Sequence, residues 1–266
     1  MNKLKSGSNI LFEIKEKTLL RVEAQKKSNL LEKYKGSSRA TNTSLKDAIK
    51  NDGPNVIAEF KRASPSEGVI ASHLSASDVA QQYISAGAKA MSIITEPDYF
   101  SGKYDYLLKV RNEFSSLPIL MKDFIVDKYQ IDIAKEIGAT CILLIVSLLE
   151  KEYLKELYDY ALSLGLEIIV EIHNEEELQE ALFVKPEIIG VNNRNLQTMT
   201  VDLKNSFDLV SQIPDGILKI SESGISKNSQ LLELSQVGFN AYLIGTSLMK
   251  SGYPKKTLLE LLGNEI

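Results

Sequence analysis

The sequence predicts an α/β fold, a closed (β/α)8 TIM barrel with an N-terminal helical extension. From residue 56 onward, eight short apolar runs alternate with segments of helical periodicity. Gly87, Gly138, Gly165 and Gly238 each stand just past a helical segment and just before a strand, where glycine closes a helix. Alternation of this kind indicates parallel pairing. Eight evenly spaced units favour a barrel over an open doubly wound sheet, whose Gly-x-Gly-x-x-Gly turn is absent.

The predicted elements follow in chain order. The strands are residues 56–61, 91–95, 118–122, 140–146, 167–172, 187–192, 217–222 and 240–245. The helices between them are residues 78–86, 104–114, 130–137, 151–164, 175–183, 206–213 and 229–237, and a last helix follows Pro254. Ser77-Asp78 and Asn174-Glu175 indicate helix starts.

Residues 1–50 precede the first strand and form the N-terminal extension. Residues 11–35 are a charged amphipathic helical stretch, 36–43 a small polar linker and 44–50 a further helix. The apolar positions of the first stretch need a surface to cover, so we expect a lid over one end of the barrel; they are Leu19, Leu20, Val22, Leu30 and Leu31. We expect a single domain over residues 1–266, with the barrel at 56–266.

Composition excludes several classes of protein. The chain has 266 residues, 44% of them hydrophobic and 25% charged, and a formal charge of −4, so it is neither disordered nor a basic nucleic-acid or membrane-surface binder. Cys141 is the only cysteine, which excludes an internal disulfide and favours the cytoplasm. No apolar run approaches the roughly 18 residues of a membrane span. We expect a monomer or a weak homo-oligomer.

Charged and polar side chains end several predicted strands, where a packed barrel interior would be apolar. Glu59 and Lys61 share one face of the first strand with Ile57, since alternate residues of a strand face the same side. The other polar strand ends are Lys122, Glu171, Asn192 and Glu222, and Arg194 follows two residues after the sixth strand. Parallel strand ends converge on one mouth, where barrel enzymes place their chemistry.

A single charge at a strand end is usually solvated, but a set of them at one mouth is different. Three carboxylates (Glu59, Glu171 and Glu222) can offset three cations (Lys61, Lys122 and Arg194) in a partly dry pocket. Because neighbouring charges tune pKa values, such a set suits proton transfer on an anionic substrate. We therefore take Glu59, Lys61, Lys122, Glu171, Asn192 and Glu222 as candidate catalytic residues.

The loops after the seventh and eighth strands indicate a phosphate site. Each places a glycine and a hydroxyl residue directly after its strand: Ser223 and Gly224 in one, Gly245 and Thr246 in the other. Backbone N–H groups at these two loops form the common phosphate site of the fold. The loop after the first strand, residues 62–68, adds Ser64 as a candidate substrate-binding residue.

Seven segments together resemble one known family. They are EFKRASPS (59–66), TE (95–96), LMKDFI (120–125), VEIH (170–173), VNNRNL (191–196), SESGI (221–225) and IG (244–245). They resemble indole-3-glycerol phosphate synthase over nearly the whole chain, and the first and third segments are the most specific. The resemblance implies a carboxy-lyase of tryptophan biosynthesis. It would close the indole ring of 1-(2-carboxyphenylamino)-1-deoxyribulose 5-phosphate, releasing carbon dioxide and water.

The reaction implied by the resemblance assigns roles to the charged residues. Ring closure needs an electrophilic carbonyl, for which Lys122 is the candidate general acid. Dehydration needs an acid and a base, and the sequence does not divide these duties between Lys61 and Glu171. Glu59, with Asn192, orients Lys61 or holds a substrate hydroxyl.

The remaining candidates bind and position the substrate. Arg194 offers a planar fork to phosphate or carboxylate, and Glu222 positions neighbouring groups or ribulose hydroxyls. The slot predicted for the anthranilate ring consists of Phe100, Phe124, Leu143 and Leu196. No cofactor and no metal is implied, and His73 and His173 are 100 positions apart and interpreted as structural.

Two alternatives come from other classes. Another phosphosugar barrel, such as a phosphoribosylanthranilate isomerase or a sugar-phosphate epimerase, would need one acid and one base, and the pair Lys61 and Lys122 disfavours it. A catalytically silent barrel scaffold is disfavoured because the charged residues of the mouth are intact.

Overall fold

Eight parallel strands close into a barrel in this computed structural model, which describes residues 4–5, 10–39, 42–51, 53–71, 73–195 and 198–264. The strands, numbered first to eighth below, are Asn55–Phe60, Ala90–Ile94, Ile119–Lys122, Cys141–Ile145, Glu167–Ile172, Ile188–Asn192, Leu218–Glu222 and Ala241–Ile244. The first strand pairs with both the second and the eighth, so the sheet has no free edge. The predicted fold class is confirmed, and every strand bound lies within one residue of its prediction.

The barrel helices agree with the predicted segments except near their ends. They are Ala76–Ser85, Tyr104–Glu113, Lys128–Glu136, Lys151–Ser163, Glu175–Leu182, Lys204–Leu209, Asn228–Gln236 and Pro254–Leu261. The first begins two residues before its predicted start, because the Ser75 side chain caps it by accepting a hydrogen bond from the Asp78 N–H at 3.1 Å. The helix predicted to reach residue 213 tightens into a 3₁₀ turn at Val210–Gln212, just before Pro214.

Three short elements of the described residues have no counterpart in the prediction, and one of them is the 3₁₀ turn Val146–Leu148 after the fourth strand. The loop after the first strand contains a two-residue hairpin, Ala63–Ser64 against Gly68–Val69, and the eighth strand leads into the helix Thr246–Lys250. Segments of two to five residues are too short to show a hydrophobic period, so the sequence pattern could not reveal them.

The N-terminal extension covers both ends of the barrel. Its first helix, Ile10–Lys27, lies over the C-terminal mouth, whereas the helix Leu45–Ile49 lies at the opposite end, where the Leu45 N–H donates to Glu167. The helical stretch predicted over residues 11–35 consists of two helices, because Asn29 adopts a left-handed φ of 52° and separates Ile10–Lys27 from Leu30–Tyr34. Of the predicted covering positions, Val22 is buried but Leu20 is 73% exposed.

Apolar side chains fill the barrel beneath its mouth. Ile57, Leu120, Ile169 and Ile220 each lie two residues before a charged residue of the same strand and are completely buried. This layer forms the floor on which the charged groups stand. In the described part of the chain, no helix combines the length and the apolar character that crossing a bilayer requires. The single-domain organisation stays a prediction.

Candidate active site

A cavity of about 360 Å³ opens at the C-terminal mouth of the barrel. Its lining includes these predicted residues: Glu59, Lys61, Ser64, Phe100, Lys122, Phe124, Leu143, Glu171, Asn192, Arg194, Glu222, Ser223, Gly224, Gly245 and Thr246. Leu196, the remaining one, lies outside the described residues. Residues from all eight strands or the loops that follow them thus meet in a space the size of a small ligand.

Lys122 lies between two buried carboxylates at the centre of this cavity. Its Nζ is 2.9 Å from Glu171 Oε2 and 2.6 Å from Glu222 Oε2. Burial lowers the pKa of Lys122, but the charges of Glu171, Glu222 and Glu59 outweigh this effect and raise it above the usual value. Lys122 is therefore a charged ammonium whose protons point at acidic partners and into the cavity.

The two carboxylates that hold Lys122 have opposite pKa shifts. Burial raises the pKa of Glu171, but the charges of Lys122 and His173 outweigh it, so the net shift is downward. Burial also raises the pKa of Glu222; Lys122 opposes that rise and the Glu171 carboxylate adds to it, so its net shift is upward. Glu171 is thus the ionised member of the pair and Glu222 the one that binds a proton more readily.

A second lysine–carboxylate pair lies across the cavity. Lys61 Nζ is 2.9 Å from Glu59 Oε1, and both side chains are largely buried. Asn192 ends the sixth strand, and its Oδ1 accepts the backbone N–H of Arg194 at 3.0 Å. The Arg194 guanidinium donates from Nη1 to the carbonyl of Met199 at 3.0 Å, which directs the side chain along the rim of the cavity.

The loop after the seventh strand has an unusual backbone. Ser223 has a φ of 69° and Gly224 a φ of 85°, two successive residues with a positive φ that non-glycine residues rarely adopt. A side chain at position 224 would meet Val201 at 2.6 Å. A strained serine of this kind persists where the surrounding structure holds it, and such residues cluster at ligand sites.

Apolar groups form one wall of the cavity. Phe100 and Phe124 pack at a centroid distance of 6.1 Å, with Leu143 beside them in the lining. The first helix of the extension completes this wall with Ile10, Leu11 and Ile14. The sequence predicted a lid, but these three residues were not among the predicted site residues.

Arg21 holds this helix on the mouth of the barrel. Its guanidinium is 2.9 Å from Glu96, 3.0 Å from Asp98 and 3.1 Å from Asp123, which directly follows Lys122. Glu96 also accepts three backbone N–H groups, those of Asp98, Tyr99 and Phe100. Glu96 therefore fixes the loop that carries Phe100 instead of facing the substrate.

Two further polar residues support the site without having been predicted to do so. His173 Nε2 is 3.4 Å from Glu171 Oε1, and its Nδ1 is 3.0 Å from Glu177 Oε2. Asn193 donates to Ser221 Oγ and to the carbonyls of Glu222 and Ser223, which ties the sixth strand to the seventh. Across the described residues, no group of three or more His, Cys, Asp and Glu side chains could hold a metal ion.

A closed barrel with ionisable groups and glycine loops at its C-terminal mouth defines a (β/α)8 enzyme acting on a small anionic molecule. Residues 11–261 match the family model described as indole-3-glycerol phosphate synthase. The chain belongs to the indole-3-glycerol phosphate synthase family, and it is a carboxy-lyase of tryptophan biosynthesis with a phosphorylated substrate. The resemblance found in the sequence is confirmed.

Curated relatives agree with this family. The indole-3-glycerol phosphate synthase of Campylobacter fetus is 44% identical over 246 residues, covering 91% of this chain and 94% of that protein. The one of Clostridium kluyveri is 41% identical over 250 residues, covering 94% and 95%. Among solved structures, 3-hexulose-6-phosphate synthase from Salmonella typhimurium has a TM-score of 0.64 at 9% identity, over 79% of this chain and 97% of that one. That likeness concerns the fold alone.

Proposed function

We propose that this cavity closes the indole ring of 1-(2-carboxyphenylamino)-1-deoxyribulose 5-phosphate with Lys122 as the general acid. The observation that carries the proposal is the contact of the Lys122 ammonium with Glu171 and Glu222 inside the cavity. As the aromatic carbon attacks the carbonyl, the carbonyl oxygen takes a proton from Lys122. Loss of carbon dioxide then restores the aromatic ring.

Dehydration is divided between Lys61 and Glu171. Glu171, which the charges of Lys122 and His173 keep ionised, is the base that takes a proton from the methylene carbon next to the nitrogen. Lys61, held by Glu59 at 2.9 Å, gives a proton to the hydroxyl that leaves as water. Asn192 and Glu222 position these groups.

Substrate binding uses the remaining lining. Ser223, Gly224, Gly245 and Thr246 hold the phosphate, with Ser64 and Arg194 at the rim. Phe100, Phe124 and Leu143 contact the anthranilate ring, and Leu196 remains part of the proposed slot. In crystals grown with phosphate or sulfate, the anion should lie beside Gly224 and Gly245. An anion found reproducibly at another strand end would contradict this assignment.

The decisive experiment follows carbon dioxide and indole fluorescence in parallel. Lys122→Ala should release neither product, because the ring does not close. Lys61→Ala and Glu171→Gln should still release carbon dioxide but form fluorescent indole product slowly, because dehydration is blocked. Prompt indole formation by Lys61→Ala, or carbon dioxide release by Lys122→Ala at the normal rate, would show that the roles are assigned incorrectly.

The setting of the protein is also part of the proposal. A single buried cysteine and mild net acidity support a cytoplasmic enzyme that acts without nucleic acid or membrane. We expect a single-domain monomer or a weak homo-oligomer, which light scattering over a concentration series measures directly.

A further inference from the structure

Gly190 stands in the middle of the sixth strand, Ile188–Asn192, two residues before Asn192 on the face that points into the barrel. Glycine within a strand destabilises it relative to alanine, so its presence there calls for a local reason. The backbone does not supply one, because the φ of Gly190 lies outside the left-handed region. The space around the residue must supply it.

A side chain at position 190 would collide with Glu222. A Cβ atom there would lie 2.2 Å from Glu222 Oε1 and 3.3 Å from Glu222 Cδ, and 2.9 Å from Ile169 Cγ2. Asn192 pairs with Glu222 across the neighbouring strands, so the Glu222 side chain bends back over Gly190 toward the floor of the barrel. The Glu222 carboxylate thus occupies the volume that a side chain at 190 would fill.

We propose that Gly190 is a positioning residue for ring closure. Because Gly190 has no side chain, it leaves a gap for the Glu222 carboxylate, which lies there and holds Lys122 Nζ at 2.6 Å. The inference deepens the proposed function and rests on the assignment of Lys122 as the general acid. Gly190 itself touches no reacting atom, and it acts through Glu222.

The other lysine of the cavity has the same arrangement. A Cβ atom at Gly245 would lie 2.3 Å from Glu59 Oε1, the same atom that holds Lys61 Nζ at 2.9 Å. Each lysine is therefore held by a carboxylate that lies against a glycine of a neighbouring strand or loop. Gly245 already has a proposed part in phosphate binding, whereas Gly190 has no other use in the site, which makes Gly190 the cleaner position to test.

The Glu222 side chain is the flexible partner in the collision, so Gly190→Ala should displace its carboxylate by roughly 1 Å and leave the backbone in place. The atoms nearest to a Cβ at position 190 belong to Glu222 and Ile169, not to the proposed phosphate loops or the apolar wall. We therefore expect kcat to fall by about tenfold or more while KM stays within about threefold, since a small misplacement of a catalytic group is costly. A purely structural role would lower the melting temperature without this split.

The test is a double-mutant cycle of Gly190→Ala with Glu222→Asp, whose shorter side chain makes room for the added methyl group. Gly190→Ala should lower kcat by about tenfold or more when residue 222 is glutamate, and by less than about threefold when residue 222 is aspartate. An equal cost in both backgrounds, or an unchanged kcat in Gly190→Ala, overturns the inference.

Two further measurements keep the result decisive. If Gly190→Ala does not fold, the double variant Gly190→Ala/Glu222→Asp decides: a folded protein with the kcat of Glu222→Asp supports the inference, whereas a double variant that also fails to fold assigns the collision to Ile169 and overturns the inference. Lys122→Ala is run in parallel. Near-normal turnover in that variant contradicts the proposed function itself, whereas an inactive Lys122→Ala together with an additive cycle contradicts only the role of Gly190.

Discussion

The two ends of the barrel bury the same kinds of charged side chain with different partners. At the N-terminal end, Arg111 is fully buried and donates to the carbonyls of Gly138 and Ser115 at 2.7 and 2.9 Å and to Thr140 Oγ1 at 3.0 Å. Glu167 accepts the Ser44 hydroxyl there at 2.6 Å. At the C-terminal mouth, buried lysines and glutamates instead contact one another around a cavity.

The difference lies in whether the partner can change its charge. Backbone carbonyls and hydroxyls are dipoles that do not change charge, so the hydrogen bonds of Arg111 stabilise the fold without any transfer of protons. Carboxylates and ammonium groups exchange protons with each other and with a ligand, so the Lys122 cluster can do chemistry. Burial of a charge alone therefore does not identify a site; an ionisable partner beside an open space does.

The largest expected effect comes from a substitution at the C-terminal mouth that leaves the N-terminal end of the barrel unchanged. Lys122→Ala should lower turnover by about 10²–10⁴-fold, the usual contribution of a positioned general acid. Steady-state kinetics on the purified variant measures the loss, and circular dichroism checks that it is folded. Turnover within about threefold of the normal value would remove Lys122 from the role.

A substitution of Arg111 tests the N-terminal end of the barrel, where we expect a loss of stability instead of a loss of activity. Arg111→Met removes the donor from the buried carbonyl of Gly138 and from two partly buried carbonyls, and it should destabilise the fold by about 3 kcal/mol, while kcat and KM of the folded protein stay within about threefold. Urea denaturation measures the first quantity and kinetics the second. A large loss of turnover at unchanged stability would show that the two ends are not separable in this way.

The sequence was sufficient for the barrel because the strands are eight evenly spaced apolar runs, and helix-closing glycines precede the second, fourth, fifth and eighth of them. It also indicated the residues of the mouth, since charges at the same strand end stand out from an apolar body. It could not reveal Gly190, which looks like one more small residue in an apolar run until the Glu222 side chain of the next strand is seen over it. The sequence did not predict the role of Arg21 for a related reason, because its three acceptors are at least 75 positions away along the chain.

Arg21 allows an intermediate test, because it joins the extension to the mouth. Arg21→Met should raise KM on the order of tenfold, the worth of one charge-assisted hydrogen bond, because the helix carrying Ile10, Leu11 and Ile14 loses its anchor. Lys26→Met is the matched control on the same helix; its ion pair with Asp127 is more exposed and should matter less than twofold. Equal effects of the two substitutions would mean that Arg21 is not the anchor.

The smallest effect concerns the titration of Glu222 and sharpens the contrast between fixed and ionisable partners. Burial and the Glu171 carboxylate raise the pKa of Glu222 against the opposing charge of Lys122, so its carboxyl should stay protonated to a higher pH than the roughly 4.3 of an ordinary glutamate. Infrared difference spectra over pH should show this carboxyl band, and Glu222→Gln should remove it. Glu171→Gln should move the band to lower pH, because one neighbouring negative charge is gone. A band that keeps its pH dependence in Glu171→Gln would mean that the two carboxylates titrate independently, which contradicts the coupling inferred for this pair.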